Sequence, residues 1–152
     1  MENNLSHPIR TAFSPGEDCR NLIIELINNA ISNLEICVFT ISDDLITSAL
    51  IRAFDNGINI RIITDNDKKN DLGSDIKELY YKGIEVHIDE SPNHMHHKFM
   101  IVDQQLLLTG SYNWTRSAAK YNEENLIVVY DTQTANDFQL VFDSLWERTV
   151  SF

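Results

Sequence analysis

The side chains with the greatest capacity for chemistry lie in one segment. It runs His96-His97-Lys98-Phe99-Met100-Ile101-Val102-Asp103 and is followed by Gly110-Ser111-Tyr112-Asn113. The spacing is H-x-K-x4-D-x6-G-S-x-N. An imidazole can attack phosphorus, and an ammonium and an amide can neutralise the charge that develops on the nonbridging oxygens. The set suits cleavage of a phosphodiester without a metal. The motif occurs once in the chain. The chemistry needs two imidazoles, one to attack and one to protonate the leaving oxygen.

The residues around His96 read as a strand over His97 to Val102. Side chains alternate across a strand, which puts His96 and Lys98 on one face and His97, Phe99 and Ile101 on the other. His96 and Lys98 can therefore address one phosphate, while His97 reads as a packed or hydrogen-bonded histidine. Asp103 falls at a hairpin turn, where aspartate bonds nearby backbone N–H groups. It reads as a supporting residue, since a second anion would repel phosphate. Gly110 lets the backbone approach a ligand closely. Ser111 and Asn113 can donate to phosphate oxygens or hold His96. Taken alone, Gly110 to Thr115 also fits an ordinary turn and helix cap.

A nucleophilic histidine needs an acceptor on its other ring nitrogen. Glu124, in Asn122-Glu123-Glu124-Asn125, is a candidate, although the same residues fit a solvated acidic turn. His94, His96 and His97 with Asp89 and Glu90 could resemble a zinc cluster. Neighbouring histidines on opposite strand faces make joint ligation awkward, so no metal and no cofactor is expected.

The elements that position these residues alternate between strand-like and helix-like segments, the pattern of an α/β domain. Strands are expected at Ile9 to Phe13, Leu34 to Thr40, Ile58 to Asp65, Ile84 to Ile88, His97 to Val102, Leu106 to Thr109 and Leu126 to Val129. A helix starts near Ser14-Pro15 and carries Leu22, Ile23, Leu26, Ile27 and Ala30 at helical spacing. Ser42 is expected to cap a second helix that ends at Gly57. Ser74 caps a third, with Ile76, Leu79 and Tyr80 inward and Gly83 at its end. A closing helix turns Phe138, Val141, Phe142, Leu145 and Trp146 toward the core. No repeat or linker is visible, so residues 1–152 read as one domain.

Composition narrows the function classes. A chain of 152 residues, 43% hydrophobic, has the size and make-up of a globular domain. Its apolar runs are far shorter than the ~20 residues that span a bilayer. The polar, acidic start Met1-Glu2-Asn3-Asn4 lacks the features of a signal peptide, so the expectation is a cytoplasmic protein without a membrane anchor. Cys19 and Cys37 are expected to be free thiols. A net charge of −11 argues against a broad basic surface that grips nucleic acid. A local basic cleft remains open, with Lys68, Lys69, Arg116 and Lys120 as weak candidates for phosphate binding and scattered surface charge as the alternative.

The combined pattern resembles the phospholipase D superfamily, whose signature is called HKD. The resemblance rests on His96, Lys98, Asp103, Gly110, Ser111 and Asn113, and on Asn122 and Glu124 as the downstream N-x-E element. It extends upstream through Phe13-Ser14-Pro15, Ile62 to Asp65 and Gly73-Ser74. Met95 to Phe99 and Thr109 to Thr115 are most similar to two groups: compact bacterial single-motif endonucleases, and mitochondrial phospholipase D-like nucleases of small-RNA processing. The latter carry an N-terminal anchor and a zinc-binding insert that this sequence does not show. The resemblance implies an α/β/α sandwich around a central mixed sheet. It also implies a homodimer in which His96 of each subunit builds one site, with His96, Lys98, Asn113 and Glu124 as the catalytic set. The implied activity is a metal-independent endonuclease on DNA or RNA. A phospholipase acting on head groups such as that of cardiolipin is the alternative. A noncatalytic dimeric binding module is a third reading, and such a module has no need of all four residues.

Overall fold

The computed structural model describes residues 9–68 and 74–152. Among them, eight strands form one mixed sheet. They are β1 (Ile9–Ser14), β2 (Asn33–Val38), β4 (Asn59–Asp65), β5 (Glu85–Asp89), β6 (Lys98–Val102), β7 (Leu106–Gly110), β9 (Glu124–Val129) and β10 (Val150–Ser151). Their order is β1-β9-β7-β6-β2-β4-β5-β10. The β2-β4 and β4-β5 pairs are parallel and the rest are antiparallel. A separate two-residue ladder joins β3 (Ile41–Ser42) to β8 (Trp114–Thr115).

Alternation along the strands sends apolar side chains to both faces, and helices cover both. One layer holds α1 (Asp18–Asn29), α2 (Asp44–Asp55) and α3 (Ile76–Lys82). It packs Leu22, Ile23, Leu50 and Leu79 onto Ile36, Ile62, Val86, Met100 and Val128. The opposite layer is α5 (Thr132–Arg148), whose Ala135 and Phe142 pack onto Cys37, Ile63, Phe99, Ile101 and Leu107. The result is the α/β/α sandwich with a central mixed sheet. On the α5 face lies one buried ion pair. Arg61 of β4 donates twice to Glu35 of β2, at 2.9 Å each. Its guanidinium also lies over the rings of Phe142 and Trp146 and reaches Asp143 at 3.4 Å. Both cysteines are free and buried.

Several boundaries differ from the sequence expectation. The first helix begins at Asp18, three residues after Pro15. Asp43 rather than Ser42 caps α2, its carboxylate accepting from the Leu45 N–H at 3.0 Å. Asp75 rather than Ser74 occupies the α3 cap position, with Ser74 Oγ 3.5 Å from the Ile76 N–H. Tyr80 is turned outward against Phe152 instead of into the core. Val141 is also outward, 43% exposed, on the flank of α5. The ladders β3-β8 and β5-β10 were not anticipated, because two-residue strands carry too few residues for a periodic signal. Among the described residues no helix is long and apolar enough to cross a membrane.

Candidate active site

The signature residues meet at one end of the sheet. The C-terminal ends of β1, β2, β4, β5 and β7 lie there, as do the N-terminal ends of β6 and β9. This is the end where the parallel strands of open α/β sheets present ligands.

His96 lies two residues before β6, in extended chain rather than in the strand itself, and its side chain is exposed. Lys98 opens β6 and is buried. Its ammonium donates to the His96 carbonyl at 2.8 Å and lies 3.0 Å from His96 Nδ1. The two side chains therefore share a side. Phe39 supports both: its ring is 5.0 Å from the His96 ring and 5.8 Å from Lys98 Nζ. Burial pulls the Lys98 ammonium below the ordinary lysine range, and the charge of Glu124 pulls in the opposite direction. His97 points to the other side, edge-on to Phe99. Burial, then the charges of Lys98 and His96, lower its affinity for a proton.

Asp103 lies at the far end of β6, away from His96. With Gln104 it takes positive φ values, 54° and 58°, in a tight turn closed by Gln105 N–H to Val102 carbonyl at 3.0 Å. Its carboxylate accepts from the N–H groups of Ile31, Ser32 and Asn33 and from the Ser32 hydroxyl. Burial disfavours the carboxylate, but these donors outweigh it and hold Asp103 below the usual range. It ties the loop before β2 to the β6-β7 hairpin.

Gly110 ends β7 where the backbones of β7 and β9 nearly touch. A Cβ there would meet the Asn125 carbonyl oxygen at 2.1 Å. Ser111 continues the contact: its N–H donates to the Asn125 carbonyl at 3.1 Å and its hydroxyl accepts from the Asn125 N–H at 3.1 Å. The buried Oδ1 of Asn113 has no hydrogen-bond partner among the described residues, so the fold does not use this amide oxygen to hold itself. Thr115 caps the short helix α4 (Arg116–Lys120) by accepting from the Ala118 N–H at 3.0 Å.

Glu124 opens β9. Its N–H donates to Ser14 Oγ at 3.2 Å, and that hydroxyl donates to the Asn122 carbonyl at 2.7 Å. Its carboxylate is 3.4 Å from Asn122 Nδ2. Within one chain Nδ1 of His96 faces Lys98, whereas Glu124 acts on Lys98 through charge. The contact between Glu124 and His96 expected from the sequence is thus not among those described.

Arg116 pairs with Asp44 at 2.8 Å, and Lys120 lies over the Tyr121 ring. Both line a depression of about 450 Å³ with Gly16, Glu17 and Arg20, separate from the cleft of about 570 Å³ that contains His96. Lys69 and the side chain of Lys68 lie outside the described residues.

Three site features had no role assigned from the sequence, although Ser14 and Asp65 lie in the upstream segments of the resemblance. Ser14 enters through β-sheet register, which pairs it with Glu124, and Phe39 enters just past β2, where its N–H donates to the His97 carbonyl at 3.1 Å. The third is Asp65, buried at the end of β4, which accepts from the Met95 N–H at 2.8 Å. Its carboxylate lies 3.5 Å from His94 Nδ1, which is 3.4 Å from Asp67. Among the described residues these three bring ligand-type atoms within 4.8 Å of one another. Asp65 is already bonded to the Met95 and Asp67 N–H groups, so it acts in holding the chain that leads to His96.

Residues 23–146 match the family described as "Cardiolipin synthase, PLD-like domain". The chain is 44% identical over 124 residues to a Chlamydomonas reinhardtii protein named mitochondrial cardiolipin hydrolase, covering 82% of this chain and 56% of that protein. It is 40% identical over 127 residues to a Xenopus laevis protein of the same name, covering 84% and 60%. A Rickettsia bellii protein named phospholipase D is 35% identical over 130 residues, covering 86% and 65%. The chain thus spans less than two thirds of the length of these relatives. Among solved structures, Nuc from Salmonella typhimurium, a phospholipase D family member, superposes with a TM-score of 0.89 at 24% identity, covering 95% of this chain and 97% of that one. NucT from Helicobacter pylori gives 0.84 at 25% identity, covering 95% and 99%.

Proposed function

The chain belongs to the phospholipase D-like family, and from that membership we propose that it is a metal-independent phosphodiester hydrolase, one domain over residues 1–152, that cleaves DNA or RNA as a homodimer. The observation that carries the reading is the His96-Lys98 contact, with an imidazole nitrogen 3.0 Å from an ammonium at the open end of the sheet. One chain supplies a single such imidazole from the motif, and two-step displacement uses two.

In the proposed reaction His96 attacks phosphorus and the bond from phosphorus to the leaving oxygen breaks. The partner subunit's His96 gives that oxygen a proton. The same imidazole then takes a proton from water, whose oxygen attacks phosphorus and releases His96. Lys98 and Asn113 neutralise the charge that develops on the nonbridging oxygens. A Lys98 ammonium can only donate, so where it bonds Nδ1 that nitrogen acts as the acceptor. The acid role requires the ring to be cationic, with a proton on both nitrogens, so that it is neutral after giving one to the leaving oxygen and cationic again after taking one from water. Phosphate drawing Lys98 away frees the ring for attack. Glu124 favours the lysine's charge. Asp103, Gly110 and Ser111 position these residues without touching substrate.

Nucleic acid is favoured by Ser91, Asn93 and Arg148 in the cleft beside His96, which can hydrogen-bond a sugar-phosphate chain; Asp89, Met95 and Leu145 also line it. The alternative is a phospholipid head group, cardiolipin included, favoured by the names of relatives up to 44% identical. Arg116 and Lys120 are retained only as outlying phosphate contacts, and Lys68 and Lys69 as candidates whose side chains lie outside those described. The proposed location is the cytoplasm, and the mitochondrial names of several relatives are the competing placement that cell fractionation decides.

The test is to incubate the protein and a His96→Ala variant in EDTA with single-stranded DNA, RNA, duplex DNA and cardiolipin vesicles. Polynucleotide cleavage lost in the variant supports the nuclease. Phosphatidic acid release supports the lipid reading. Silence on all four substrates refutes both.

A further inference from the structure

The guanidinium of Arg148 lines the His96 cleft without a carboxylate partner. Arg10, Arg20, Arg61 and Arg116 are each paired with an acid, at 2.6, 2.6, 2.9 and 2.8 Å. Arg148 instead uses its Nε to donate to the Ser144 carbonyl of its own helix at 3.2 Å. Its two terminal nitrogens have no hydrogen-bond or ion-pair partner among the described residues. It shares the cleft of about 570 Å³ with Asp89, Ser91, Asn93 and His96. Asp89 is the one carboxylate in that lining. It is engaged elsewhere, accepting from the N–H and the hydroxyl of Ser91 at 2.9 and 3.0 Å. The chain has a net charge of −11, so acids to pair with Arg148 are plentiful. None is placed against it, and its charge faces the cleft.

We propose that Arg148 is a specificity-determining residue that binds a second phosphate of the substrate, apart from the phosphate that His96 attacks. The inference rests on the diester-hydrolase reading given above. It names the preferred substrate as a strand that carries its neighbouring phosphates with it, rather than an isolated diester. With Nε held by Ser144, the two terminal nitrogens remain as a fork of N–H donors, the geometry that matches two oxygens of one phosphate.

The fold fixes where this charge stands. Arg148 is the last residue of α5, and β10 then runs antiparallel to β5 with Val150 opposite Ile88. That register sets Thr149 beside Asp89, at the C-terminal end of β5 and so at the His96 end of the sheet. The Thr149 hydroxyl donates to the Leu145 carbonyl at 2.9 Å and lies 3.0 Å from His87 Nδ1. The His87 ring stacks on Trp146 with centroids 3.5 Å apart. The backbone that carries Arg148 is thereby tied to β5, while the side chain itself is exposed. Two strands, β4 and β2, separate β5 from β6. Three strand spacings amount to roughly 14 Å. Arg148 therefore enters the cleft from the β5 side and His96 from the β6 side. A substrate with two phosphates can meet both groups, and a lone diester meets one.

The test is steady-state kinetics of the full chain, of Arg148→Gln and of Arg148→Lys, with Arg52→Gln as the matched control. Arg52 also has no carboxylate partner among the described residues, and it lines a separate hollow with Ile31 and Asn56. The substrates are bis(p-nitrophenyl) phosphate, a single-stranded DNA oligonucleotide, and vesicles of cardiolipin or of phosphatidylglycerol. The first and last carry one phosphate per molecule, the other two carry more. Arg148→Gln should raise KM for the oligonucleotide about tenfold or more and leave kcat within about twofold, the pattern of a lost charged hydrogen bond away from the reacting atoms. Cleavage of bis(p-nitrophenyl) phosphate should not change. Arg148→Lys should recover part of the loss, because the charge remains. Oligonucleotide binding, read by fluorescence anisotropy, should lose about 0.7 of its log–log salt slope in Arg148→Gln and none in Arg52→Gln. A KM rise on cardiolipin alone upholds the second phosphate and overturns the polynucleotide as its source. Equal losses on substrates with one phosphate and with several, or no loss on any, overturn the inference and leave the hydrolase standing. A parent that cleaves none of the substrates overturns the hydrolase reading. Anisotropy then decides Arg148 separately, and equal binding by parent and Arg148→Gln overturns its role.

Discussion

Lys98 Nζ stands 3.0 Å from His96 Nδ1 and 2.8 Å from the same residue's carbonyl oxygen. The ammonium thus holds the imidazole from its own main chain. A buried lysine is costly, and burial depresses its proton affinity. The arrangement makes sense where an anion arrives to share the charge. Phosphate is such an anion.

His96→Ala should lower diester cleavage by at least about a thousandfold, since removing a nucleophile from a unit disables the whole unit. Lys98→Met and Asn113→Ala should each cost roughly 10²- to 10³-fold in kcat, the range for losing one charge-stabilising donor. Steady-state kinetics on a small phosphodiester check both. Activity within tenfold of the parent in His96→Ala would move the nucleophile elsewhere.

The rate should fall at high pH sooner than a free lysine would require. The Lys98 ammonium is depressed from its ordinary value near ~10.4. Its charged form is therefore lost earlier as pH rises, and transition-state stabilisation goes with it. In Lys98→Arg, always charged, that alkaline loss should shift upward even if the rate is lower overall. A pH profile of kcat that is identical in both proteins would exclude Lys98 as its source.

Chelation should leave activity unchanged. The proposed steps use imidazole, ammonium and amide groups alone. Dialysis against EDTA, followed by assay with and without added zinc or magnesium, tests this. Activity that is lost and then restored by either ion would redirect attention to Asp65, Asp67 and His94.

Asp103→Asn should destabilise the fold by about 1–2 kcal/mol at neutral pH, because bonds to an ionised acceptor are the stronger kind. The folded-state pKa of Asp103 is depressed. Its contribution is therefore present above the unfolded value near ~3.9 and lost as pH falls through the folded value. Urea melts from pH 7 to 3 should show the two proteins converging in acid. Asparagine tolerates the left-handed backbone found there, so the comparison isolates charge. Parallel curves would refute the assignment.

The sequence alone determined the chemical set and the layers. Motif spacing placed His96, Lys98, Gly110, Ser111 and Asn113 in one short segment, and hydrophobic periodicity marked the main strands and helices, because both are local properties of the chain. Glycine at 110 reads from the sequence as room for a ligand, whereas the structure fills that space with the Asn125 carbonyl of β9. Tertiary structure alone decided the rest, since register and layer coverage depend on residues far apart in the chain. It paired Ser14 with Glu124 across 110 positions and set Phe39 against His96. It turned Nδ1 of His96 toward Lys98 rather than toward Glu124. It also left Val141, apolar and correctly spaced for the core, on an exposed flank of α5. Periodicity reports only that a side chain is apolar. Which surface it covers is settled when the layers meet.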